Sequence, residues 1–166
     1  DPGTNITGYG IINSENNNLS YIHHEVIKTG LKNLYTTKLS LIYKNTQRLI
    51  ELFKPDEIAL ESVFFSVNAG TAIKLGQARG AAISAAVIKN LDVYEYTALQ
   101  VKKSVVGRGH ASKSQVQIMV QKLLNLPSLP TTDSADALAC SICHANISDS
   151  LGRLGVGNRM KSGRII

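Results

Sequence analysis

The run Glu57-Ile58-Ala59-Leu60-Glu61, entered through Lys54-Pro55-Asp56, decides the fold class. Pro55 stops the helical pattern before it. The three apolar residues that follow, bounded by a turn signal, read as a short buried strand with a charge at its end. A carboxylate in that position is costly to desolvate unless it meets a cation or a donor. Open α/β sheets commonly place their active sites at the carboxyl ends of strands, so Glu61 is a site candidate as well as a fold signal.

Upstream, Leu34, Leu39, Ile42, Leu49, Ile50 and Phe53 follow helical spacing, which predicts a helix over 31–53. Asp1-Pro-Gly-Thr reads as the end of one strand and a turn, and Gly8-Tyr-Gly-Ile-Ile12 resumes extended structure. The polar run Asn13 to Asn18 is predicted as a hairpin turn, with a third strand from Leu19 to Thr29. Downstream, Val63 to Asn68 reads as a loop and Ala69 to Asn90 as a helix dense in Gly and Ala. Gly costs roughly 1 kcal/mol relative to Ala in an exposed helix interior. Gly76 and Gly80, one turn apart, therefore predict a close backbone approach, either to the sheet or to a second subunit. Asp92 to Tyr96 is the last strand.

Ala98 to Val106 is predicted helical, followed by the basic loop Gly107-Arg-Gly-His-Ala-Ser-Lys113. Ser112 or Ser114 then caps a helix to about Leu126, with Val116, Met119, Val120 and Leu123 facing inward. Leu126-Pro-Ser-Leu-Pro130 is a rigid connector to a final helix. The order β-β-β-α-β-α-β-α-α-α predicts an α/β fold with a mixed five-stranded sheet flanked by helices. Residues 1–150 form one domain, and the Gly-, Arg-, Lys- and Ser-rich segment 151–166 reads as a mobile basic tail.

The final helix opens Thr131-Thr-Asp-Ser-Ala-Asp-Ala-Leu-Ala139, which puts Asp133 and Asp136 on one face. Taken alone, such a pair is an ordinary N-cap with a second acid complementing the helix dipole. The company of Asp1 and Glu61 points instead to four oxygen donors meeting in space. Hard carboxylate oxygens suit Mg²⁺ or Mn²⁺ far better than zinc. Two such ions roughly 4 Å apart can activate a water and stabilise the leaving oxygen of a phosphodiester.

Charge agrees with that chemistry. The 166 residues carry 18 Lys and Arg against 12 Asp and Glu, a net +6. Without the four site acids, 8 acidic side chains face 18 basic ones, a net +10. A basic body around an acidic focus is what an enzyme using cations on nucleic acid requires. The composition, 43% hydrophobic and 18% charged, excludes a disordered chain. No apolar run reaches the length of a membrane span, and no signal peptide is visible. Cys140 and Cys143 give no disulfide framework and suit a reducing compartment.

Taken together, Asp1-Pro-Gly with Thr7-Gly-Tyr-Gly10, Ala59-Leu-Glu-Ser-Val-Phe64, Lys74-Leu-Gly-Gln-Ala-Arg-Gly80, Gln100-Val-Lys102 with Val105-Val-Gly107, Lys113-Ser-Gln-Val116 and Asp133-Ser-Ala-Asp-Ala-Leu-Ala139 resemble the RuvC family of bacterial Holliday-junction endonucleases, whose fold is RNase H-like. The resemblance covers residue 1 to about 145. It implies a structure-selective nuclease that resolves four-way DNA junctions by paired symmetric nicks, with Asp1, Glu61, Asp133 and Asp136 as the metal-binding carboxylates. It implies Mg²⁺, with Mn²⁺ as a substitute and two ions per site. Phe64 resembles the family aromatic that stacks on unpaired bases, and Lys102 and Lys113 match lysines near the scissile phosphate. Arg79, Arg108 and the tail cations Arg153, Arg159, Lys161 and Arg164 are read only as DNA-facing charge. A homodimer, partnership with RuvA and RuvB, and a bacterial cytoplasmic setting are further implications. Family members carry a short apolar strand before the first acid, so the first strand is expected to be truncated in this chain.

Four rival readings remain. Cys140-Ser-Ile-Cys-His144 reproduces a haem-attachment pattern, but inside an apolar helix. Asp-Pro-Gly-Thr also resembles the phosphate loop of actin-like ATPases, a fold that needs a second repeat of the domain. An RNase H-like enzyme acting on RNA and a junction-binding protein without catalysis are the other rivals.

Overall fold

A computed structural model of the chain describes residues 1–16, 18–62 and 68–153. Strands β1 (Ile6–Glu15) and β2 (Asn18–Lys28) form an antiparallel hairpin whose register slips between Ile11 and Ile12. The hairpin is longer than the sequence suggested. Asn13, Ser14 and Glu15 pair with Ser20, Leu19 and Asn18, so the two strands continue to the tip of the hairpin. Asn16 adopts a left-handed φ of 52°, a conformation that Asn tolerates. Polar residues at the end of a hairpin need no apolar face, so composition hid their pairing.

Helix α1 spans Tyr35–Phe53 and starts four residues later than Leu31. A turn at Gly30, with φ 85° and the Asn33 side chain donating to the Thr29 carbonyl at 2.6 Å, occupies the residues before it. Leu31 and Leu34 are exposed in consequence. The helix buries Ile42, Thr46, Leu49 and Ile50 and stops at Lys54, which takes the left-handed conformation just before Pro55.

Strand β3 (Glu57–Glu61) runs parallel to β4 (Asp92–Tyr96), with Glu57 opposite Asp92 and Glu61 opposite Tyr96. Helix α2 (Ala69–Val87) provides the crossover between them and is capped by the Asn68 side chain. Helices α3 (Ala98–Val106) and α4 (Lys113–Leu123) each open on a reciprocal capping box, Thr97 with Gln100 and Ser112 with Gln115. Helix α4 ends short of Leu126. Of its expected inward residues Val116 and Val120 are buried, whereas Leu123 is exposed and Leu124 takes its place in the core. Helix α5 (Thr132–Arg153) reaches three residues into the segment expected to be a tail. The rest of that tail lies outside the described residues.

Two apolar clusters cover the two faces of the strands. Ile42, Leu60, Ala78 and Ala82 pack α1 and α2 against β3, while Tyr94, Tyr96, Val101, Val105, Val116, Val120, Leu138 and Ile142 join β4 to α3, α4 and α5. The architecture is α/β with helices on both sides of a mixed arrangement of strands. Of the five strands expected, the first is represented by the pairing of Asp1 and Pro2 with Gly8 and Thr7 alone. The described strands accordingly form two two-stranded sheets, β1-β2 and β3-β4. A cavity of about 370 Å³ separates them, lined by the facing edges of β1 and β3 and by Leu49, Ile50, Ser141 and His144.

Helix α5 lies across β1 at very short range. A Cβ on Gly8 would stand 2.3 Å from the Asp133 carbonyl oxygen, and one on Gly10 would stand 2.6 Å from the Leu138 nitrogen. Only residues without a side chain allow that approach. The Ser141 hydroxyl then donates to the Gly10 carbonyl at 2.9 Å and ties the two elements together.

Candidate active site

Gly8 brings the two ends of the chain into register. Its amide donates to the Asp1 carbonyl at 3.1 Å, and its own carbonyl accepts from the Asp1 amino group at 3.0 Å. The Asp133 carbonyl packs on the same residue. Asp133 and Asp136, both half-buried, occupy the first turns of α5 three residues apart. They therefore share one face of α5.

Glu61 is the last residue of β3 and is half-buried. Burial pushes its carboxyl pKa up, and the Asp136 carboxylate pushes it further in the same direction. Lys102 and Lys113 pull it back. Desolvation and a neighbouring like charge are the two effects expected where carboxylates are gathered. Lys113, the first residue of α4, places its ammonium 3.3 Å from Asp136 Oδ2. Its side chain is 71% exposed, so this ion pair is a movable contact rather than a source of stability. Lys102 lies on α3 and borders a shallow open cleft with Thr97, Ala98, Leu99 and Gly109.

The fold thus gathers Glu61, Asp136, Lys102 and Lys113 from four different elements and sets the backbones of Asp1 and Asp133 against Gly8. The focus is a pair of interacting carboxylates; among the described residues no three His, Cys, Asp or Glu side chains stand close enough together to hold a metal ion. The donor chemistry nonetheless fits a hard divalent cation, because the residues brought there are carboxylates on a half-buried floor. Arg108 is exposed on the connection between α3 and α4. Phe64 lies outside the described residues.

Arg79 departs from its expected role. It is 7% exposed, and its guanidinium contacts the Glu61 carbonyl and the Glu95 carboxylate, so it is turned inward rather than toward DNA. Its spacing on α2 relative to Ala78 and Ala82 already put it beside the buried face, which was the available signal. The contributions of Gly8 and Gly10 were also missed, because a glycine in a short strand carries no side-chain pattern to read.

The haem-like Cys-x-x-Cys-His run is explained by packing. Both thiols are buried, and burial pushes Cys140 up to about 12 and Cys143 up to about 11, which leaves them inert. The His144 ring is held between the Tyr96 hydroxyl and Glu57, each at 2.7 Å, and it pins α5 to the β3–β4 pair. No helix among the described residues is long and apolar enough to cross a membrane.

Comparison with known proteins places the chain in a family. The family model described as "Crossover junction endodeoxyribonuclease RuvC" matches residues 1–144. A protein of that description from Methylobacillus flagellatus is 50% identical over 173 residues, covering 100% of this chain and 96% of that protein. Another from Geobacter sulfurreducens is 52% identical over 146 residues, covering 88% and 89%. The Thermus thermophilus RuvC structure superposes with a TM-score of 0.81 at 32% identity, covering 94% of both chains. The same protein in complex with a Holliday junction substrate gives a TM-score of 0.84 at 32% identity, covering 94% of this chain and 93% of that one.

Proposed function

The chain belongs to the RuvC family of crossover junction endodeoxyribonucleases, and from that premise we propose that it hydrolyses phosphodiesters at a Mg²⁺ site built on Asp1, Glu61, Asp133 and Asp136. It is an RNase H-like endonuclease that resolves four-way Holliday junctions. The observation that carries the metal reading is the coupling of Glu61 to Asp136 across the β3–α5 gap, with Lys113 on the same carboxylate.

Two Mg²⁺ ions held by these carboxylates, or Mn²⁺ in their place, would supply Lewis acidity toward the attacking water and the leaving oxygen. The chain's own groups do the rest. Glu61 and Asp136 give the site its negative focus, and Asp1 and Asp133 complete the donor set. Lys113 exchanges its ion pair with Asp136 for the scissile phosphate, and Lys102 meets the same strand from α3. Their charges stabilise the extra negative charge that builds on the phosphoryl oxygens. Phe64, just beyond Glu61, stacks on bases that the junction leaves unpaired.

Two sites must cut opposing strands for resolution to give ligatable duplexes, which calls for a symmetric dimer. The α2 face that carries Gly76 and Gly80 suits that contact. Among the described residues nothing outside the helix's own neighbouring backbone approaches either glycine within 4 Å of a Cβ, and Ile73 and Val87 nearby are 62% and 55% exposed. Cooperation with RuvA and RuvB in the bacterial cytoplasm completes the reading.

A synthetic four-way junction, a linear duplex and an RNA–DNA hybrid, each with and without Mg²⁺, test it. Cleavage of the junction alone, and only with the cation, is the expected result. Glu61→Gln and Asp136→Asn should abolish cleavage while preserving junction binding. A variant that cuts at the normal rate removes its residue from the site. Sedimentation that shows only monomer at micromolar concentration would remove the dimer.

A further inference from the structure

Arg79 makes two contacts from one buried position on α2. Its Nη1 donates to the backbone carbonyl of Glu61, and its Nη2 stands 3.0 Å from Glu95 Oε1. The two acceptors lie on adjacent parallel strands at neighbouring levels, since Leu60 pairs with Glu95 and Glu61 with Tyr96. Among the described residues, the last backbone bond joining β3 to β4 at this end runs from the Ser62 amide to the Tyr96 carbonyl at 2.7 Å. Arg79 therefore grips the peptide unit of Glu61 where the sheet ladder stops.

A buried guanidinium needs partners, and its planar fork can hold two acceptors at once in fixed directions. The Glu95 carboxylate is about half exposed, whereas the Arg79 side chain is 9% exposed, so the grip on the carbonyl is the sheltered end of the bridge. The side-chain charges that act on the Glu61 carboxylate are Asp136, Lys102 and Lys113. Arg79 addresses the backbone of Glu61, and those groups address its side chain.

We propose that Arg79, braced by Glu95, is a positioning residue that holds the end of β3 so that the Glu61 carboxylate presents to the metal site at a fixed distance from α5. This rests on the reading of Glu61 as a metal-binding carboxylate. A lysine in its place keeps the charge but replaces a rigid fork with one flexible point donor, so it cannot hold both acceptors in one plane.

The test uses the full-length protein with Arg79→Lys and Glu95→Gln, and Glu61→Gln as control. Mn²⁺ binding by electron paramagnetic resonance, the Mg²⁺ midpoint of cleavage, junction binding in EDTA and thermal melting are the readouts. Arg79→Lys is expected to weaken Mn²⁺ binding and raise the Mg²⁺ midpoint about tenfold while junction binding in EDTA stays unchanged, as for other groups that orient metal ligands. Glu95→Gln, which keeps an acceptor but loses the charge, should move both metal readouts in the same direction by less. Mn²⁺ binding equal to that of the unaltered protein in a folded Arg79→Lys variant would overturn the proposal. Should Arg79→Lys fail to fold, Glu95→Gln decides in the same way: unchanged Mn²⁺ affinity overturns it, and weakened affinity supports it. A Glu61→Gln protein that still cuts would instead remove the metal reading of Glu61, which keeps the two failures apart.

Discussion

Gly8 and Gly10 lie on β1 where α5 crosses it; Gly76 and Gly80 lie one turn apart on α2. In sequence the second pair is the more conspicuous, because glycine inside a helix costs stability and asks for a reason. In the structure it is the first pair that is pressed against a neighbour, with the Asp133 carbonyl and the Leu138 backbone inside the space a Cβ would fill. The α2 pair faces open space. A glycine's importance thus depends on what crosses it, and in this fold the crossing element carries two of the proposed catalytic acids.

The largest effect that tests this contrast is expected at Gly8. Gly8→Val would force α5 away from β1, and overpacking of this kind costs typically 1–3 kcal/mol. Because a shift of about 1 Å can cost on the order of 100-fold in rate, cleavage should fall by at least that much, beyond what the melting temperature alone suggests. A Gly8→Val protein with normal cleavage would mean that α5 does not depend on this contact. Gly10→Ala should act in the same direction and more weakly.

The opposite sign is expected on α2. Gly76→Ala and Gly80→Ala meet no neighbouring element among the described residues and should each stabilise the monomer by roughly 0.5–1 kcal/mol. If this face is the dimer seam, sedimentation should show weaker self-association at the same time. Thermal stability and association moving together would break the distinction between the two glycine pairs.

The smallest effect concerns protons at the α5 crossing. The folded state holds the Glu61 proton more tightly than the unfolded chain, because burial first and Asp136 second raise its pKa. The metal-free protein should therefore lose stability as pH rises from the ordinary carboxylate range through that raised value. Melting temperatures measured in EDTA across that window should show the decline, and Glu61→Gln should flatten it. Mg²⁺ binds the ionised form and should reverse the slope.

Much of the fold was legible in local signals. The cap at Ser112, the stop at Pro55 and the short apolar run of β3 placed most elements within a few residues. The errors came where local chemistry was ambiguous. The polar hairpin end at Asn13 to Glu15 looked like a turn, and Leu31 to Leu34 looked helical although Gly30 turns the chain there. Leu123 and Leu124 are adjacent leucines, and only helix orientation decides which one is buried. The four acids were proposed from residue type and position, and the structure sets Lys113 beside Asp136, 3.3 Å from its carboxylate. Arg79 was assigned by charge alone, and charge does not say which way a side chain points.

What the amino-acid sequence determined by itself was the order of elements, the acids that end or begin them, and family membership, because these are set by neighbours within a few residues and by motif spacing. Tertiary structure alone decided which glycines admit a helix, that Glu61 and Asp136 feel each other's charge, and that Arg79 holds a carbonyl instead of a phosphate. Those outcomes depend on contacts between residues more than fifty positions apart, or on the direction a side chain takes once its helix is packed, and no local pattern encodes either one.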